Sequence, residues 1–105
     1  MAWIYLFIAS FFEVGWPIGL KLAETSSYKA IWVLFAAIMM TLSGIFLYFS
    51  QKTIPIGTAY AVWSGIGASC TFIIGVLFFQ DILSISRVLA ICFIVTGVVL
   101  LKYGN

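Results

Sequence analysis

Glu13 is the residue in this chain whose type and position together could do chemistry. It stands in Phe11-Phe12-Glu13-Val14-Gly15-Trp16-Pro17-Ile18-Gly19, near the middle of an apolar run over residues 2–20. A run of that length crosses a bilayer as a helix. No other ionisable side chain lies deep in an apolar run of this sequence. A charged carboxylate at the bilayer centre costs roughly 3 kcal/mol on insertion scales. Protonation relieves that cost, so the group can bind a proton and release it in exchange for something else. Such a residue is read first as a functional site.

The residue types near Glu13 fit that role. Trp16 is one turn away on the same face, as is Ser10 on the other side. Membrane tryptophans usually mark the interface, which suits Trp3 and Trp32, but Trp16 lies deeper and its indole N–H can hold a carboxylate. Pro17 has no N–H for the carbonyl of Glu13, which frees an acceptor beside the carboxyl; a kink tolerated for packing is an equal reading. Gly15 and Gly19 permit close helix approach. Further along, Ser43 sits among Met39, Met40, Phe46 and Leu47. It either bonds its own backbone one turn back or serves as a donor for Glu13. Tyr60 and Trp63 share a face, and two rings beside a carboxylate suit an organic cation. Gly65 and Gly67 weaken the third span and are expected to bend it, and Gly75 is a further small packing position.

Four apolar spans must position these residues, over about 2–20, 30–50, 56–79 and 84–101. Each covers about 26 Å or more at helical rise, enough for a hydrocarbon core of about 30 Å with snorkelling ends. Their connections are short, so the expected architecture is one all-α transmembrane domain of four helices over residues 1–105. Composition agrees. The 105 residues are 65% hydrophobic and include only five Lys or Arg and three Asp or Glu. A soluble domain carries roughly a quarter charged residues. The first run has neither a basic leader nor a small-residue cleavage site, and reads as a span rather than a signal peptide.

Several functions are disfavoured. The chain has no His and no clustered Cys, Asp or Glu at ligand spacing, so no metal is expected. There is no phosphate-binding loop and no nucleophile with an adjacent base, so neither an enzyme nor a cofactor is expected. A thin net charge of +2 does not suggest nucleic acid. Cys70 and Cys92 lie in apolar runs and read as reduced packing residues. The fourth span is apolar almost all round, and Ala90 and Gly97, seven residues apart, form a small-residue seam for a packing or dimer helix.

Orientation is weakly coded. Lys52 and Lys102 fall on one side, and Lys21, Lys29 and Arg87 on the other. Basic residues set topology, and so even a split leaves two readings: a slight bias to one orientation, or dual topology with copies inserted both ways.

Glu13, the segment Tyr60-Ala61-Val62-Trp63-Ser64-Gly65-Ile66-Gly67 and the Ala90/Gly97 seam together resemble the small multidrug resistance family of bacterial exporters. The resemblance covers essentially the whole chain. Glu13-Val14-Gly15-Trp16, Leu20-Lys21 and Leu101-Lys102 are similar to its guanidinium-exporter subtype rather than its quaternary-ammonium subtype. It implies an antiparallel homodimer in the inner membrane that exchanges a small organic cation for protons. It also implies that Glu13 of both subunits forms one shared site, that Trp16 and Ser43 bond Glu13, and that Tyr60 and Trp63 line the pocket. The third helix would bend at Gly65-Ile66-Gly67, and fourth helices would pair around Gly97. Ser10, Pro17, Ser64 and the glycine-free stretch Ala23-Glu24-Thr25-Ser26-Ser27 depart from the subtype's pattern and put strict guanidinium selectivity in question. The expected function is thus a proton-coupled guanidinium exporter with some tolerance for hydrophobic cations. The alternatives are a promiscuous quaternary-ammonium exporter and, from another class, a packing subunit or passive pore.

Overall fold

The computed structural model of the chain describes residues 1–104. Four helices account for nearly all of them: α1 (Ala2–Thr25), α2 (Lys29–Ser50), α3 (Ile56–Phe78) and α4 (Ile85–Tyr103). Each is long and apolar enough to cross a membrane. α1 continues past the expected end at residue 20, because a lysine does not stop a helix. Lys21 instead approaches Glu24 at 3.9 Å, one turn on, and Ser26 in extended geometry ends the helix. Pro17 is accommodated inside α1 without ending it. α4 likewise runs past Lys102, whose ammonium sits 5.1 Å above the Trp3 ring. That placement lets a charged head snorkel to an interfacial indole.

The helices lie side by side in the order α2, α1, α3, α4, with only a slight approach of α2 to α3. The resulting slab measures 45 × 34 × 16 Å, little thicker than one helix. Small residues make the close seams. A Cβ on Gly15 would lie 2.9 Å from Met39 Cγ, and one on Gly19 would lie 2.8 Å from the Phe35 ring, so this glycine pair sets α1 onto α2. Buried Ala9, Ser10, Ala23, Ala36 and Ser43 continue the same pattern. Between membrane helices, where no water is expelled, such close backbone approach supplies much of the attraction. A tighter apolar cluster of Leu6, Ile54, Ala59 and Val62, flanked by Trp3 and Trp63, joins α1 to α3 and to the 51–55 connection.

α3 is a continuous helix through Gly65-Ile66-Gly67. Its two glycines serve two neighbours. Gly65 faces α4, with Val98 Cγ2 2.7 Å from where a Cβ would stand, whereas Gly67 faces α1. At two residues apart they point to nearly opposite sides of the helix. The two glycines expected to bend α3 are therefore also its contact points with α4 and α1.

Candidate functional site

Glu13 projects from the middle of α1 towards α3. Its Cγ lies 2.7 Å from the position of a Gly67 Cβ, so the missing side chain is what admits the glutamate. The indole Nε1 of Trp16 donates to Glu13 Oε1 at 2.7 Å. A bond that short to a carboxylate is charge-assisted when Glu13 is ionised. The i,i+3 spacing visible in the sequence is what brings the two groups together.

Ser43 does not bond Glu13. Its hydroxyl donates to the Ala9 carbonyl at 2.8 Å and accepts from Trp63 Nε1 at 2.8 Å. A serine has one O–H to give, and here the backbone of α1 takes it. Nor does Ser43 bond its own helix one turn back. It is fully buried where α2 crosses α1, beside Ala9, one turn before Glu13. The polar residues thus divide into two groups along α1: Trp16 with Glu13, and Trp63 with Ser43 and Ala9.

Tyr60 and Trp63 lie 5.4 Å apart between ring centroids with planes 51° apart. Trp63 is anchored by its bond to Ser43, while Tyr60 is 58% exposed. One ring is fixed and the other is free to meet a ligand or a second protein surface. Ser10 and Ser64 are spent locally, donating at 2.8 Å to the carbonyls of Leu6 and Tyr60 respectively. Both cysteines are free. A Cβ placed on Gly97 would meet nothing within 4 Å in its own protomer, and Ala90 is exposed. Sequence reasoning missed the Ala9 carbonyl and the Glu13–Gly67 contact. Both depend on the relative register of helices far apart in the chain, which no local pattern records.

The chain matches the family model of the Small Multidrug Resistance protein over residues 1–94. A guanidinium exporter of Yersinia pseudotuberculosis is 40% identical over 105 residues, covering the whole of both chains. A guanidinium exporter of Proteus vulgaris is 37% identical, again over the full length of both. One from Citrobacter freundii is 40% identical over all of this chain and 99% of its own. With four membrane-spanning helices and likeness to exporters of bacteria along its whole length, this chain is a multi-pass transport protein of the bacterial inner membrane, and it belongs to the small multidrug resistance family.

Proposed function

We propose that the protein exports guanidinium-type small organic cations in exchange for protons, as an antiparallel homodimer in which Glu13 of each subunit contributes to one site. The observation that carries this reading is the Trp16–Glu13 bond deep in a span. It leaves Glu13 Oε2, and the remaining lone pairs of Oε1, to accept from a ligand. A planar guanidinium offers paired N–H donors that match a carboxylate held in one orientation. The full-length likeness to guanidinium exporters supports the same substrate class.

Exchange follows from charge. Two carboxylates brought into one apolar pocket disfavour double ionisation. Protons or a cation can neutralise them, and each displaces the other. Only a proton-loaded or cation-loaded site then crosses readily between the two faces of the membrane. Antiparallel pairing is supported by the near-even basic residues of the loops and by α4, which has no buried residue in its own protomer. The half-exposed Tyr60 beside an anchored Trp63 favours a secondary tolerance for hydrophobic cations, which need aromatic surface more than hydrogen bonds.

Substrate-driven current from purified protein in liposomes tests the reading. Guanidinium should drive a current that responds to a pH gradient, with a bulky quaternary ammonium giving less. Flux indifferent to pH would indicate a passive pore, and quaternary-ammonium current without guanidinium current would reassign the substrate. Single cysteines placed in either loop should each label from both sides of the membrane. Labelling from one side alone would reject antiparallel pairing.

A further inference from the structure

Beyond Glu13, α1 and α3 share one seam for two more turns. Glu13, Pro17 and Lys21 advance along α1 by four residues each, and Gly67, Thr71 and Gly75 do the same along α3. Residues so spaced lie along one helix face. At the first level the seam is shut by the contact of Glu13 with Gly67. One turn further it opens into a cavity of about 210 Å³, lined by Pro17, Lys21, Thr71, Gly75, Phe79 and Asp81.

The mouth of this cavity is built by the turn after α3. Gln80 takes a φ of 58°, and the amides of Phe79 and Asp81 both donate to the Gly75 carbonyl, at 3.0 and 3.1 Å. The turn folds Asp81 back over the end of α3. Its carboxylate fills the space that a side chain at Gly75 would take, so glycine is what admits it. Asp81 remains exposed. The charged groups near it are Lys21, which lines the same cavity and approaches Glu24 at 3.9 Å, and Arg87 of α4, whose Nη1 donates to the Ile82 carbonyl at 2.9 Å. Neither forms an ion pair with Asp81 among the described residues.

At its inner end the cavity is lined by Pro17 and Thr71. Pro17 has no N–H, so the Glu13 carbonyl, one turn beyond the lining, lacks its i+4 intrahelical donor. The Thr71 hydroxyl can both give and accept. A polar cavity of this volume has room for several waters, each needing two or more such partners. From Lys21 back to Glu13 is eight residues of helix, about 12 Å; the cavity covers the part from Lys21 to Pro17, and waters must pass the Glu13–Gly67 contact to reach the carboxylate.

We propose that this seam is a hydrated proton-entry path, separate from the aromatic side of the site, with Asp81 as its surface carboxylate. Asp81 takes a proton from bulk water and passes it to the water chain. Thr71 and the freed Glu13 carbonyl order that chain, and the Glu13 carboxylate receives one proton while Asp81 returns to its charged form. Lys21 explains why a proton rather than a second organic cation uses the route: a resident cation would meet a like charge, whereas a relayed proton leaves no ion behind. The proposal rests on the proton-coupled reading above.

The test compares wild type with Asp81→Asn and Thr71→Val, all as full-length protein. Two readouts are taken: guanidinium uptake driven by a pH gradient in liposomes, and the rate of the tryptophan fluorescence change after a pH jump in detergent. The fluorescence change is assigned to Glu13 by its loss in Glu13→Gln. In Asp81→Asn the fluorescence rate should fall about tenfold, with equilibrium guanidinium affinity unchanged, and rising acetate in the detergent experiment should restore the rate. Thr71→Val should slow the same step without rescue by acetate, because its defect lies beyond the mouth, and it serves alone if Asp81→Asn does not fold. Wild-type rates in both variants, or lowered guanidinium affinity with no change in the fluorescence rate, would overturn the path while leaving coupled export intact. Wild-type uptake that ignores the pH gradient would instead overturn the exporter reading and the path with it.

Discussion

α1 and α4 are both apolar membrane helices, yet one is enclosed and the other is bare. α1 lies between α2 and α3 and buries Leu6, Ala9, Ser10, Gly19 and Ala23. α4 packs along α3, reaches α1 only where Lys102 meets the Trp3 ring, and buries nothing fully. The enclosed helix carries the glutamate, the proline and both seam glycines. The bare one carries exposed Ile85, Phe93 and Leu100 and a glycine, Gly97, at which an added Cβ would meet nothing of its own protomer. The division follows from what each helix must hold. A carboxylate in the bilayer needs donors and a fitted cavity, and these require neighbours on several sides. A helix without polar cargo needs only a smooth face, and α4 keeps that face for lipid or a second copy.

The largest way to break this contrast is to remove the cargo. Glu13→Gln keeps shape and polarity but removes the titratable charge, so proton-driven transport should vanish while the protein stays folded and monodisperse. Retained coupled transport by folded Glu13→Gln would place the chemistry elsewhere. The wild-type protein should show the complementary effect with pH. In the proposed exchange cation and proton compete for Glu13, so cation affinity should fall as pH falls through the range in which the site takes up protons. The slope is at most about tenfold per pH unit for each proton displaced. Binding titrations across pH check it, and a flat profile would contradict shared occupancy.

The two glycines of α3 sharpen the comparison, because each faces one of the contrasted sides. Either Gly67→Ala or Gly65→Ala would bring a Cβ to 2.7 Å from its neighbour. In the first case the neighbour is Glu13, held from its other side by Trp16. It must move, and a displacement of about 1 Å at a reacting group can cost up to about a hundredfold in rate. In the second case the neighbour is Val98, at the edge of the apolar cluster and on a helix packed from one side only, which can shift. Gly67→Ala should therefore lose most transport and Gly65→Ala only a fraction, measured as initial uptake at equal reconstituted protein. Equal losses would mean that α3 acts through its flexibility at both glycines rather than through contact with Glu13.

Ser43→Ala tests the second polar group. It strands the Trp63 indole N–H and leaves the Ala9 carbonyl with its helical bond alone. Interhelical hydrogen bonds in membranes average about 0.6 kcal/mol, so a destabilisation of about 1 kcal/mol is expected for the two bonds together, read as thermal or denaturant stability in detergent. Guanidinium affinity should fall only through the loosened Trp63. A loss as large as that of Glu13→Gln would show that Ser43 reaches Glu13 directly in the transporting state.

These positions also show what the sequence could and could not convey. Four helices, the depth of Glu13 and its pairing with Trp16 are local: hydropathy and an i,i+3 spacing suffice. Helix ends are less legible, since Lys21 and Lys102 look like stops but are snorkelling positions inside α1 and α4. The partner of Ser43 lies 34 residues away, so its choice depends on how α2 is set against α1 by Gly15 and Gly19. Gly65 and Gly67 are recognisable as special but not as facing opposite neighbours with different cargo. Asp81 is silent altogether, because only the positive φ of Gln80 turns it back to Gly75.

The smallest expected effect concerns Ser64, a departure from the guanidinium-exporter pattern that directly follows Trp63 in sequence. Its hydroxyl donates to the Tyr60 carbonyl one turn back, at 2.8 Å, and leans towards the Ala61 carbonyl at 3.4 Å. That is the self-contained backbone bond of a serine in a membrane helix, and threonine makes it equally well. The added methyl stiffens χ1 but does not alter what Tyr60 or Trp63 can present. Ser64→Thr should therefore leave the ratio of guanidinium to quaternary-ammonium transport within about twofold, a difference under about 0.5 kcal/mol. Tyr60→Phe in the same background separates the ring from its hydroxyl: it should lower guanidinium transport more than that of a quaternary ammonium, which gains nothing from the O–H. If Ser64→Thr alone shifts the ratio several-fold towards guanidinium, then the backbone bond at Tyr60 sets the free ring's position, and selectivity is governed from the exposed side of α3 rather than from the enclosed face around Glu13.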